Sequence, residues 1–124
     1  MVQAIPGTTE SSSMNFYDYQ ELANRTAKEL NFKDGLTHAA LGLTGEAGEF
    51  SDATKKHIIY GQNVDFANLR EEIGDILWYC AYAANVLGFS LETIARLNIE
   101  KLAKRYPGEY SDMYAAQRMD KNES

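Results

Sequence analysis

A single cysteine, Cys80, stands among the 124 residues. One thiol cannot build an intrachain disulfide framework, so the fold must be held by packing. Cys80 lies in an apolar helical run and reads as an inert core thiol. Proline is nearly as scarce: there are 2, Pro6 near the N-terminus and Pro107 after the last strong helical pattern. Histidine also occurs only twice, as His38 and His57. The residues three before them are Gly35 and Thr54, so the Glu-x-x-His pairs of a helical di-iron centre are missing. No apolar run approaches the roughly 18 residues of a membrane span, and the N-terminus lacks the basic-then-apolar order of a secretory signal. Both absences set the expectation of a cytoplasmic protein with no membrane partner. Basic residues are outnumbered, 12 Lys and Arg against 18 Asp and Glu, for a net charge of −6. That balance argues against a sequence-independent binder of polymeric nucleic acid. It leaves a nucleotide open as substrate, because bound divalent cations reverse the local charge.

What is present is helical. The chain is 44% hydrophobic and 24% charged, ordinary for a globular protein. Strand-type alternation is not sustained anywhere, whereas apolar residues recur at helical spacing. The expectation is an all-α four-helix bundle in one domain, assembled as a homodimer or homotetramer. Residues 1–14, with Pro6, Gly7 and a Thr/Ser run, read as a disordered tail; 15–107 as the helical domain; 108–124 as a polar arm. Helix 1 is expected from Phe16 to about Leu30 behind an Asn15 cap, with Gln20, Asn24 and Thr26 as polar groups suited to recognition or to interhelix bonding. Helix 2 is expected from Leu36 to Tyr60 with Gly61 as its cap, and its apolar face is Leu36, Ala39, Ala40, Leu43, Ala47, Phe50, Ala53, His57 and Ile58. Helix 3 is expected from Phe66 to Leu87, ended by Gly88, with Leu69, Ile73, Ile76, Leu77, Cys80, Ala84 and Leu87 as its stripe. Trp78 and Tyr82 fall off that stripe, which suggests a subunit interface more than a base pocket. Helix 4 runs from a Ser90 cap to Tyr106. Gly42, Gly45 and Gly48 each weaken helix 2, so the pattern calls for close approach of another helix or for room beside a ligand.

Two carboxylate pairs carry the chemistry. Glu46 and Glu49 are three residues apart on helix 2, and Glu72 and Asp75 repeat that spacing on helix 3. Each pair projects from one side of its helix. A short loop makes the two helices antiparallel neighbours, so all four acids converge on one volume. Like charges this close favour cations, and hard oxygen donors select Mg2+, with Mn2+ able to substitute. Magnesium in turn favours phosphate oxygens. Basic residues able to hold a polyphosphate are Lys56, Lys101 and Arg105. His38, on the Glu49 side of helix 2, and Tyr79, between Glu72 and Asp75 on the helical wheel, are candidate contacts to a base or sugar, along with Gln20 and Asn24.

The pattern Glu46-x-x-Glu49, spacer, Glu72-x-x-Asp75 resembles the signature of the MazG-like all-α nucleoside triphosphate pyrophosphohydrolases. The flanking run Leu41-Gly42-Leu43-Thr44-Gly45-Glu46-Ala47-Gly48-Glu49, the pair Lys55-Lys56, and Asn98-x-x-Lys101 leading to Arg105-Tyr106-Pro107 match as well. The likeness extends from about Phe16 to Pro107. It implies magnesium-dependent hydrolysis of a nucleoside triphosphate, with deoxynucleotides as the expected substrates, between the α- and β-phosphates. The products would be a monophosphate and pyrophosphate, serving pool control or housecleaning. It also implies that Asn98, Lys101 and Arg105 meet the phosphates. The chemistry then asks one of the four carboxylates, Glu46 the first candidate, to accept the proton of the attacking water. The other readings of the residues are a non-catalytic nucleotide-binding regulator and a helical interaction module with merely solvated acids.

Overall fold

The computed structural model describes residues 13–121. The tail expected over 1–14 therefore lies almost wholly outside the described residues. Among the described residues there is no strand, and the chain is all-α as expected. Its helices are α1 (Phe16–Asn24), α2 (Phe32–Ile58), α3 (Phe66–Leu87), α4 (Leu91–Arg105) and α5 (Asp112–Gln117), followed by a 3-10 turn over Met119–Lys121. The chain divides into two compact units, one ending at Leu91 and one beginning at Glu92.

In the first unit α2 packs chiefly on α3, and α1 on α3. Capping starts α1, α2 and α3. The Asn15 side chain accepts the Asp18 N–H, and Asp18 returns the bond to the Asn15 N–H, a reciprocal capping box. Asn31 accepts the Asp34 N–H at 2.8 Å, so α2 begins at Phe32, four residues before the expected Leu36. Asp65 caps α3, and Gly88, at φ +77°, closes it in the left-handed conformation that glycine adopts without strain. Helix α1 stops at Asn24 and does not reach the expected Leu30. The Thr26 N–H and hydroxyl both bond to the Ala23 carbonyl, at 3.0 and 2.7 Å, and Ala27 N–H turns to Asn24 O. The carbonyl that would have continued the α-ladder is thus taken by a local bond. Helix α2 is closed by Ile59, whose N–H reaches Lys55 O; Gly61, at φ +68°, lies beyond it in the loop.

The phase of the packing face on α2 also differs from expectation. Gly35 and Ala39 are buried and Gly42, Leu43, Glu46, Phe50 and Ala53 half-buried, whereas Leu36, Ala40, Ala47, His57 and Ile58 are exposed. The inner face is built from small residues against large aromatic partners on α3. A Cβ at Gly35 would lie 3.1 Å from Val86, and one at Gly42 would fall 2.1 Å from the Tyr79 ring. Gly45 and Gly48 have nothing within 4 Å of a Cβ, so only Gly42 of these three answers to close approach. On α3, Tyr82 is 5% exposed and Ala81 fully buried, while Ile73, expected in the apolar stripe, is 56% exposed. Leu87 is likewise exposed. Tyr82 is therefore a core residue of this unit and not interface surface. Ala23, Ala81 and Leu91 form the buried cluster, flanked by Tyr19, Trp78 and Cys80. Burial pushes the Cys80 thiol up, which keeps it protonated and inert.

Gln20 laces this unit together. Its Oε1 accepts the Leu91 N–H at 2.7 Å, and its Nε2 donates to Asn85 Oδ1 at 2.8 Å and to Phe89 O at 2.9 Å. The buried amide is thereby saturated at its oxygen and both hydrogens. His57 Nδ1 stands 2.6 Å from Gln62 O and donates to it, tying the end of α2 to the loop before α3.

In the second unit Ser111 caps α5 by accepting the Tyr114 N–H. Arg105, the last residue of α4, donates from Nε and Nη2 to the two oxygens of Asp120 at 2.9 and 3.1 Å. The polar segment after Pro107 thus carries a short helix and a 3-10 turn pinned back to α4 by a forked ion pair.

Candidate metal and nucleotide site

Antiparallel α2 and α3 bring Glu46, Glu72 and Asp75 together, with one ligand oxygen of each within 4.8 Å of the others. Glu46 lies one turn after Gly42 and Asp75 one turn before Tyr79, so the Gly42–Tyr79 contact stands one turn along the helices from these two acids. Glu72 is the inner member, 8% exposed, and its Oε2 is buried with no hydrogen-bond partner. Its carboxyl is pushed up to about 6. Burial is the first cause, followed by a hydrogen bond with Glu46 and then by the charges of Glu49, Glu46 and Asp75. Glu49 is thus close enough to raise Glu72, but it stands outside the trio and is exposed.

Three carboxylates with a buried, unsatisfied oxygen among them fit a hard divalent cation. Such an ion would supply the missing partner and cancel the repulsion that raises Glu72. Glu46, Glu72 and Asp75 could hold it, with Glu49 one turn further along α2.

A cleft of about 360 Å³ opens beside the acids, lined by Thr26, Glu46, Asp75, Trp78 and Tyr79. The aromatic side is built as a block. Trp78 Nε1 donates to Thr26 Oγ1 at 2.8 Å. Trp78 meets Tyr79 edge-on at 4.9 Å and stacks on Tyr82 at 5.4 Å and 8°. His38 meets Tyr79 and Tyr82 edge-on at 5.5 and 5.3 Å. Tyr19 is held above the usual phenol range by burial first and by the charges of Cys80 and Asp75 next, which puts it near the same acids.

Of the residues singled out in the sequence, Glu46, Glu72, Asp75 and Tyr79 share this site, and His38 abuts it through Tyr79. Gln20 is committed to lacing the fold. Asn24 lines a separate cleft of about 440 Å³ with Lys28, Tyr82 and Asn85. Lys56 makes an exposed pair with Asp52 at 3.4 Å. Asn98, Lys101 and Arg105 belong to the second unit, where Arg105 is clasped by Asp120; the guanidinium in turn holds the Asp120 carboxyl down at about 2. The sequence suggests an interface for Trp78 and recognition or interhelix bonding for Thr26; the hydroxyl bonds across to α3, with Trp78 as its partner. Their pairing joins positions 52 residues apart, so no local pattern could reveal it.

An antiparallel helix pair sets a carboxylate trio beside an aromatic cleft, a donor set that could hold a hard divalent cation. Comparison with known proteins gives the family: residues 35–109 match the MazG nucleotide pyrophosphohydrolase domain, and the chain belongs to that family. It is also similar to the "Gene 37 protein" of Mycobacterium phage L5, 38% identical over 78 residues that cover 58% of this chain and 67% of that protein. No solved structure matches the chain.

Proposed function

We propose that this chain hydrolyses nucleoside triphosphates, deoxynucleotides foremost, to the monophosphate and pyrophosphate with magnesium as its cofactor. The reading rests on one observation: a carboxylate trio with a buried unsatisfied oxygen on Glu72, set beside a cleft of about 360 Å³ in a MazG domain. A cation bound there would neutralise phosphate oxygens and polarise a water for attack. The chain's own groups do the rest. Glu72 and Asp75 would hold that cation, and their part is positioning and charge more than covalent chemistry. Glu46, on the border of the cleft, accepts the proton of the attacking water. Trp78 and Tyr79 offer flat apolar faces to a base or sugar, with His38 steadying Tyr79. Asn98, Lys101 and Arg105 are assigned to the departing pyrophosphate on the family resemblance alone; Arg105 is clasped by Asp120. Among the described residues no helix is long and apolar enough to cross a membrane. Exposed Leu41, Ile58, Ile59, Phe66 and Ile73 give α2 and α3 apolar surface for self-association as a homodimer or homotetramer.

The test is a panel of ribo- and deoxynucleoside triphosphates with magnesium, scored for both products. Equal release of monophosphate and pyrophosphate supports the proposal. Nucleotide binding without release of either would make the protein a regulator instead.

A further inference from the structure

The geometry points to Gly42 as the residue that positions Tyr79 in the cleft, and so as a determinant of how the nucleotide is seated. This rests on the functional reading above for its kinetic consequence, though not for its structural one. A Cβ built at Gly42 falls 2.1, 2.3 and 2.4 Å from three ring carbons of Tyr79. No real Cβ sits that close to another heavy atom, so any side chain at 42 forces the ring out. The contact is made by the middle of the ring, which has no flexible end to bend aside. Gly45 and Gly48, on the same helix, meet nothing within 4 Å. The clash is therefore specific to one glycine of the three.

The consequence follows from where the ring stands. Tyr79 lines the cleft together with Glu46 and Asp75. Its other neighbours are already fixed: Trp78 is anchored by the Thr26 hydroxyl, and His38 meets both Tyr79 and Tyr82 edge-on. Against that block, the ring packs on the bare backbone of α2 at Gly42. Displacing the ring leaves it little space except the cleft itself. Gly42 thus trades helix propensity for a recess that keeps Tyr79 out of the substrate's place.

The experiment is a cycle of Gly42→Ala and Tyr79→Ala, with Gly45→Ala as comparison. In the presence of Tyr79, Gly42→Ala should lower Tm. It should also lower kcat/KM by on the order of 10- to 100-fold, mostly through KM, as expected when a positioning surface shifts by about 1 Å. The rise in Tm produced by magnesium should stay as in the wild type, because the acids do not move. In the Tyr79→Ala background the same substitution should raise Tm and leave kcat/KM within about twofold, since the Cβ now has room and alanine is the better helix former. Gly45→Ala should raise Tm in both backgrounds. Gly42→Ala failing to fold while the double variant folds would also support the assignment. Equal effects of Gly42→Ala with and without Tyr79 would overturn it, as would loss of the magnesium response. A wild type that cleaves no nucleotide would refute the enzymatic reading, yet the inversion in Tm would still decide the ring packing.

Discussion

Magnesium should stabilise this protein, and the size of the effect should depend on pH through Glu72. The Glu72 carboxyl is raised from 4.5 to about 6 by burial and by the neighbouring acids. Between those values the folded state binds more protons than the unfolded state. The stability of the metal-free protein from this group is therefore greatest at low pH and falls as pH rises through about 6. A cation reverses the balance, because it needs the ionised carboxylate and removes the repulsion. At a concentration about 100 times the dissociation constant it contributes about 2.7 kcal/mol. For a domain of this length that is a rise in Tm of roughly 8–13 °C. One pH unit below a carboxyl pKa of about 6, about a tenth of Glu72 is ionised, and the rise should shrink to roughly half. Differential scanning fluorimetry with and without magnesium, at about pH 7.5 and about pH 5, reads this directly. Glu72→Gln keeps a donor toward Glu46 while removing the charge. It should match or exceed the wild type without metal at about pH 7.5 and lose most of the magnesium response. A magnesium shift of the same size at both pH values, or one unchanged in Glu72→Gln, would refute the role of this carboxylate.

Asp75→Ala should abolish nucleotide hydrolysis while far-UV circular dichroism stays near the wild type, because Asp75 is exposed and its truncation opens no core cavity. Glu49→Ala, outside the trio, should leave some magnesium-induced stabilisation, as read by the same melting assay, while lowering activity. Asp120→Asn should loosen the end of the second unit, giving faster amide exchange over Asp112–Gln117, since the forked partner of Arg105 is weakened. The Arg105–Asp120 pair lowers the Asp120 pKa from 3.8 to about 2. Its contribution is in place above the ordinary carboxyl range and should vanish only as pH falls through about 2, which acid titration of the same exchange rates would follow.

Much of this was legible along the chain. Helix α3 runs from Phe66 to Leu87 as its pattern indicates, because Asp65 and Gly88 are strong punctuation at both ends. The carboxylate spacing on α2 and α3 announces a shared site, and Glu46, Glu72 and Asp75 do meet. What escaped the sequence depends on size and on distant partners. Hydropathy favours Leu36 over Gly35 as a core position, yet α2 approaches α3 through Gly35, Ala39 and Gly42, where smallness and not greasiness matters. Tyr82 reads as surface until Trp78 and His38 are seen packed on it. The end of α1 turns on one hydroxyl, that of Thr26, taking a backbone carbonyl. Gln20 finds its partners 65 to 71 residues away, and Arg105 finds Asp120 across a stretch that has no periodicity of its own. Glu49 shares the helical side of Glu46, yet it is exposed and stands outside the trio, near enough for its charge to act on Glu72.

The measurement that goes to the centre of the account is hydrolysis of a nucleoside triphosphate in water enriched in heavy oxygen, with both products examined by mass spectrometry. On the proposed reading the acids would hold the cation, and the water it polarises would face one phosphorus. Attack at the α-phosphorus is what release of monophosphate and pyrophosphate requires. The label should therefore appear in the nucleoside monophosphate and be absent from pyrophosphate. Label in pyrophosphate, or orthophosphate as the labelled product, would contradict the placement of the nucleotide across this site.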